Sequence, residues 1–151
     1  SPRIIRGNAS EIMALAGYSS VTKGPESTSS SADALHAARE LALHTGAAVL
    51  VTGRTDYSTD GRQVTATENG HAMMSRVTGV GCSMGALSAA CAAVSPTPLQ
   101  AAVSTAVLMG IAGEMAFEQS PAPGSFAVSL LDSLYSLSPE DVVRRARFLS
   151  L

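Results

Sequence analysis

Ala47-Ala48-Val49-Leu50-Val51 is the stretch that most limits what this chain can fold into. Five consecutive apolar residues with no polar alternation describe a strand covered on both faces, as in a parallel sheet flanked by helices. A helix precedes it. Apolar positions 34, 35, 38, 41 and 42 recur at helical spacing from about Ala32 to His44, and Gly46 ends the run. His36 and His44 read as solvent-side residues of that helix. The strand closes in Thr52-Gly53. Helix, short loop, buried strand and polar turn make half of a βαβ unit, so the class is α/β. Ligands of open α/β sheets gather at the carboxyl ends of strands. Thr52 stands at such an end, as a ligand candidate or, equally, as a turn-capping hydroxyl.

The second constraint is Arg76-Val77-Thr78-Gly79-Val80-Gly81-Cys82-Ser83-Met84-Gly85, read as a loop leading into a small-residue helix from Gly85 to Val94. Glycines at 79 and 81 allow a tight turn and a close approach of backbone to ligand. The helix that follows adds unpaired N–H groups and the positive end of its dipole. Together, residues Gly79, Val80, Gly81 and Cys82 describe an anion hole suited to phosphate. Cys82 lies at its mouth, where a thiolate is favoured. This pairing of an anion hole with an acid–base residue suggests phosphoryl transfer. Gly-x-Gly-x-x-Gly is not completed, because position 84 is Met and Gly85 falls one residue late, so the dinucleotide reading is weak. The chain contains no Walker A, Cys-x-x-Cys or His-Glu-x-x-His pattern.

The remaining segments follow from local signals. Ile4-Ile5 reads as the end of a strand, and the chain reads as the later part of something larger. Asn8-Ala9-Ser10-Glu11 has the form of a helix N-cap with a capping box, opening a helix from Ala9 to Ala16. Its second reading makes Asn8 and Glu11 polar ligands near a metal–phosphate site. Residues 18–30 form a Ser/Thr-rich surface loop in which Lys23-Gly24 is a weaker phosphate candidate. Residues 56–67 form a hairpin turning at Asp60-Gly61; Asp56 and Asp60 read as metal ligands or, more simply, as residues of the hairpin's turn chemistry. A further extended stretch is expected through 68–71 toward Arg76, with His71 as a substrate-orienting candidate or a loop histidine without a role. The rest is helical: about 99–118, with Gly110 and Gly113 packing closely on another helix, then about 125–137, then a last helix opened by Ser138-Pro139. Cys91 packs in the core. Arg144, Arg145 and Arg147 read as a solvated face at a helix C-terminus.

Composition narrows the partners. Net charge is −2 with only 15% charged residues, which gives no electrostatic footprint for nucleic acid or an anionic membrane. No unbroken apolar run has the length of a membrane span. Two cysteines in unlike settings do not form a disulfide framework, so a reducing cytoplasm is the default.

Three separated features, Arg6-Gly7-Asn8-Ala9-Ser10-Glu11, Val51-Thr52-Gly53 with Asp56, and Asn69-Gly70-His71 leading to Arg76-Val77-Thr78-Gly79-Val80-Gly81-Cys82, together resemble the hydroxyethylthiazole kinases. These are thiamine-salvage enzymes of the ribokinase-like superfamily. A cysteine where most ribokinase-like kinases carry an aspartate base is specific to them, and position 82 is a cysteine. The resemblance implies a three-layer α/β/α sandwich, with residues 1–151 forming its C-terminal half or more as one portion of a single domain. It implies transfer of the ATP γ-phosphate to the hydroxyl of 4-methyl-5-(2-hydroxyethyl)thiazole. Arg6 and Thr52 fall on ATP-contact positions, Gly79 on a thiazole contact and Cys82 on the catalytic position. Asn8 and Glu11 match the motif that organises Mg²⁺ and the phosphates, with Glu11 acting through water. Family members are typically homotrimers with interfacial active sites and are nearly twice this length, so a further chain segment or a second chain is expected to supply the remainder. The alternatives are a ribokinase-like kinase for another small alcohol, or an inactive fragment that keeps only the phosphate-binding loop.

Overall fold

The computed structural model describes residues 2–18 and 31–151. The surface loop expected over 18–30, with Lys23-Gly24, lies outside the described residues apart from Tyr18.

Five strands form one sheet in chain order: β1 (Ile4–Asn8), β2 (Ala48–Thr52), β3 (Asp56–Thr59), β4 (Val64–Thr67) and β5 (Phe148–Ser150). β1 and β2 are parallel, with Asn8 opposite Thr52, and every later pairing is antiparallel. The apolar run of β2 is therefore buried on both faces within a mixed sheet rather than a wholly parallel one. β2 needs both faces covered because Ala48 and Leu50 point one way and Val49 and Val51 the other.

On one face, α1 (Ala9–Leu15) and α2 (Ser31–Thr45) enclose Ile12, Ala34, Ala38, Leu41 and Ala42 against Val49 and Val51. On the other, α3 (Val80–Val94), α4 (Pro98–Gln119) and α5 (Pro123–Ser136) enclose Met84, Ala106, Met109, Ala112 and Phe126 against Ala48 and Leu50. The three layers expected from the resemblance are present. α4 is long and apolar enough to cross a membrane, but most of it is buried against the sheet and its neighbouring helices.

Four local expectations are corrected. α3 begins at Val80, not Gly85, so Gly81 and Cys82 belong to its first turn. Gly79, at φ 97°, makes the reversal that lets the helix start so early. Residues 68–71 are not a strand; the chain instead enters a 3-10 turn, Ala72–Arg76, because the His71 ring accepts from the Met73 N–H and nucleates it. The helical glycines do not meet another α-helix. A Cβ at Gly110 would sit 2.6 Å from the Asn69 Cβ, and one at Gly113 would overlap the Met74 sulfur, so both receive the 68–74 segment.

The last correction concerns the C-terminus. A short α6 (Pro139–Arg145) opens with Ser138 and Asp141 in a capping box, as the serine–proline pair predicts. The chain then becomes strand β5 and pairs with β4. Arg145 makes a two-pronged pair with Glu118 (2.7 and 3.0 Å), and Arg147, beyond the helix, meets Glu114 at 2.6 Å. These arginines clamp α6 and β5 to α4 instead of forming a free solvated face.

Candidate active site

The carboxyl ends of β1 and β2 open into a cleft of about 960 Å³. Cross-strand register puts Arg6, Leu50 and Ser58 on one face of the sheet, so Arg6, Thr52 and Asp56 project toward α3 and α4. Arg6 and Thr52 line the cleft together with Val80 and Gly81 from the first turn of α3. The Arg6 guanidinium donates to the Gly81 carbonyl at 2.5 Å, and Thr52 Oγ1 donates to the Gly7 carbonyl at 3.3 Å. The first intrahelical bond of α3 runs from the Ser83 N–H to the Gly79 carbonyl at 2.9 Å, which leaves the N–H groups of Val80, Gly81 and Cys82 without helical partners. An arginine and three free N–H groups at one helix start form a positive concavity suited to phosphate.

Cys82 is an exposed free thiol in that first turn. It and Gly79 border the cleft's helix start without being among its lining residues. Cys91 is buried, as expected.

Asn8 and Glu11 form the capping box the motif predicts. Asn8 Oδ1 accepts from the Glu11 N–H at 3.0 Å, and Glu11 Oε2 accepts from the Asn8 N–H at 2.8 Å. Among the described residues, no three His, Cys, Asp or Glu side chains gather as a metal cluster. A single exposed carboxylate, with water and phosphate oxygens completing the shell, is nevertheless the customary donor set of Mg²⁺. The residues present fit that ion through Glu11.

Of the other cleft residues, the sequence singled out His71 as a substrate-orienting candidate and gave Asp56 to the hairpin turn. Asp56 is not a turn residue of the hairpin; Asp60 is, accepting from the Arg62 and Gln63 N–H groups. Asp56 accepts from the Gly53 N–H at 2.9 Å and ties down the turn after Thr52. Burial pushes its carboxyl up to about 6, partly opposed by that bond. The opposite wall is residues 68–77. Buried Asn69 fixes it, donating to Glu114 (3.1 Å) and the Arg145 carbonyl (2.8 Å) and accepting from the Arg147 N–H (2.7 Å). Glu114 also accepts from the Gly70 N–H at 2.9 Å. His71 lines the cleft and stacks on Phe117, with centroids 3.6 Å apart. The Asn-Gly-His sequence was a signal for these residues, but their partners lie 44 to 78 residues away.

A mixed sheet between two helix layers, with its ligand face at a glycine-capped helix start, is the ribokinase-like α/β arrangement. The structure of the hydroxyethylthiazole kinase protein from Pyrococcus horikoshii OT3 shares it at a TM-score of 0.85 and 38% identity, over 98% of this chain and 54% of that one. The model of the hydroxyethylthiazole kinase family matches residues 1–140. The chain is 99% identical over 151 residues to the hydroxyethylthiazole kinase of Akkermansia muciniphila, covering 56% of that protein. It is 53% identical over 136 residues to that of Granulibacter bethesdensis, covering 50%. The chain therefore belongs to the hydroxyethylthiazole kinase family. It spans about half the length of the curated relatives it matches.

Proposed function

We propose that the protein carrying this chain transfers the γ-phosphate of ATP to the hydroxyl of 4-methyl-5-(2-hydroxyethyl)thiazole. The observation that carries the reading is the start of α3, where Arg6 and the free N–H groups of Val80, Gly81 and Cys82 converge beside Thr52. Arg6 and Thr52 contact the nucleotide, and Gly79 contacts the thiazole alcohol. The N–H groups hold charge on the transferring phosphoryl oxygens, at no reorganisation cost because the helix has already oriented them. Cys82 Sγ accepts or orients the hydroxyl proton as the phosphoryl group arrives, the role a carboxylate plays in general-base catalysis. Mg²⁺, when bound, neutralises phosphate charge, with Glu11 holding it through water and Asn8 orienting Glu11. The remaining half of the family fold supplies most of the thiazole pocket, within a cytoplasmic homotrimer whose sites lie between subunits.

The test is ADP formation by the full-length protein. It is expected to require both hydroxyethylthiazole and Mg²⁺, and a folded protein without thiazole-stimulated turnover would sink the proposal. Cys82→Ala is expected to lower kcat far more than ATP affinity, while Cys82→Asp keeps activity. A fully active Cys82→Ala protein removes the proton-acceptor role.

A further inference from the structure

Asp56 is a cleft side chain that the proposed reaction leaves unused, and the sheet register places it. Leu50 pairs with Ser58 and Val51 with Tyr57, so the next step of the β2–β3 ladder sets Asp56 directly across from Thr52. Side chains opposed in this way stand about 4.5–5.5 Å apart at Cβ. Both residues line the cleft. One Asp56 oxygen, Oδ1, accepts from the Gly53 N–H at 2.9 Å. Among the described residues the other, Oδ2, has no hydrogen-bond partner. A carboxyl pinned by one oxygen beside Thr52 presents its second oxygen to whatever Thr52 binds.

An ionised carboxylate in that position opposes a polyanion. The charged or titratable groups that share the cleft are Arg6 on β1, Arg54 in the 53–55 turn, and Glu68 and His71 on the opposite wall. β4 sets an uncharged Thr67 across from Asp56, and α3 and α4 line the cleft with uncharged residues only. None of these groups holds Asp56 ionised. Burial raises its carboxyl to about 6, and the Gly53 bond is what opposes the rise. A negative ligand at Thr52 pushes in the same direction as burial, because a nearby like charge also disfavours the ionised form.

We infer that Asp56 enters the nucleotide complex as a neutral acid, taking up a proton from solvent as the phosphates bind and turning Oδ2 into a donor toward the group that Thr52 meets. This rests on the nucleotide reading above. Asp56→Asn is the test, because asparagine copies the neutral acid: its carbonyl keeps the Gly53 bond and its amide replaces the O–H donor. ADP binding to the full-length parent and variant is measured by calorimetry from pH 6 to 8 at one fixed Mg²⁺ concentration. Titration of ADP itself and of His71 is common to both proteins and cancels in the comparison. At pH 8 the variant is expected to bind on the order of tenfold tighter, the scale of one unit charge roughly 7 Å from another after partial screening. Toward pH 6, where the parent is already half protonated, the gap narrows to about twofold. Heats in buffers of different ionisation enthalpy are expected to show the parent taking up more protons per ADP at pH 7 than the variant. Equal affinities at pH 8, a gap that does not narrow toward pH 6, or equal proton uptake overturns the inference. Should Asp56→Asn not fold, the carbon-13 carboxyl resonance of Asp56 in the parent carries the test: ADP moves its titration to higher pH, and an unmoved midpoint overturns the inference. A protein that binds no ADP refutes the nucleotide reading and this inference with it. One that binds ADP but fails these comparisons refutes the inference alone.

Discussion

Gly110→Ala is the sharpest perturbation of the cleft wall. An alanine Cβ there lies 2.6 Å from the Asn69 Cβ and 2.7 Å from both its carbonyl carbon and oxygen, whereas ordinary contact begins at 3.4 Å. Two of these three atoms are backbone. Asn69 cannot retreat without breaking bonds to Glu114, Arg145 and Arg147. Overpacking of this kind costs about 1–3 kcal/mol. A shift of a few tenths of an ångström that weakens one of these hydrogen bonds adds about 1 kcal/mol. Alanine's better helix propensity returns about 1 kcal/mol. The net is a loss of about 2 kcal/mol, or roughly 4–8 °C in Tm for a protein of this family's size. Gly113→Ala is the control. Its Cβ meets the Met74 thioether, the far end of a flexible side chain that can swing aside. Its stability is expected to stay within about 1 kcal/mol of the parent. Scanning calorimetry on the full-length proteins separates the two. A Gly110→Ala protein that melts at or above the parent temperature would refute the argument that the 68–70 segment is pressed rigidly onto α4.

Two further substitutions probe the same region. Asp56 has its carboxyl raised to about 6 in the fold, so between about pH 4 and 6 the native state holds a proton the unfolded chain has lost. Stability should therefore fall as pH rises through this window, and Asp56→Asn should stabilise at pH 8, by on the order of 1–3 kcal/mol, and much less at pH 4; denaturant melts at the two pH values check this, and an equal effect at both refutes it. Asn69→Ala removes the bonds to Glu114, to the Arg145 carbonyl and from the Arg147 N–H, so it should cost about 2–3 kcal/mol and speed amide exchange in Phe148–Ser150 more than in α2. Uniform exchange acceleration would mean that Asn69 does not tie β5 to the cleft wall.

Local patterns carried much of this protein. The unbroken apolar run of β2 demanded cover on both faces, and the helix layers supply it. Asn8–Glu11 and Ser138–Asp141 close their capping boxes within four residues, so their geometry is encoded where it is used. Asp60-Gly61 turns its hairpin for the same reason. What local patterns could not reveal is the partner of a residue whose bond crosses the chain. Gly110 and Gly113 announced a close approach, but not that a loop and a 3-10 turn would fill it. β5 is three exposed residues, with no buried periodicity to betray it, and exists because β4 offers it an edge.

That a glycine turn at Gly79 leads into a helix was legible from sequence alone, because a left-handed glycine is a property of a helix beginning. The extent of that helix was not, since Val80–Gly85 has weak propensity and is helical through packing of Val80 and Met84 on the core. The opposite wall of the cleft, from Asn69 to His71, was decided by tertiary structure. A polar side chain in a loop says only that it needs a partner; Glu114, Phe117 and Arg147 become those partners once α4 and the C-terminal strand have packed against the sheet.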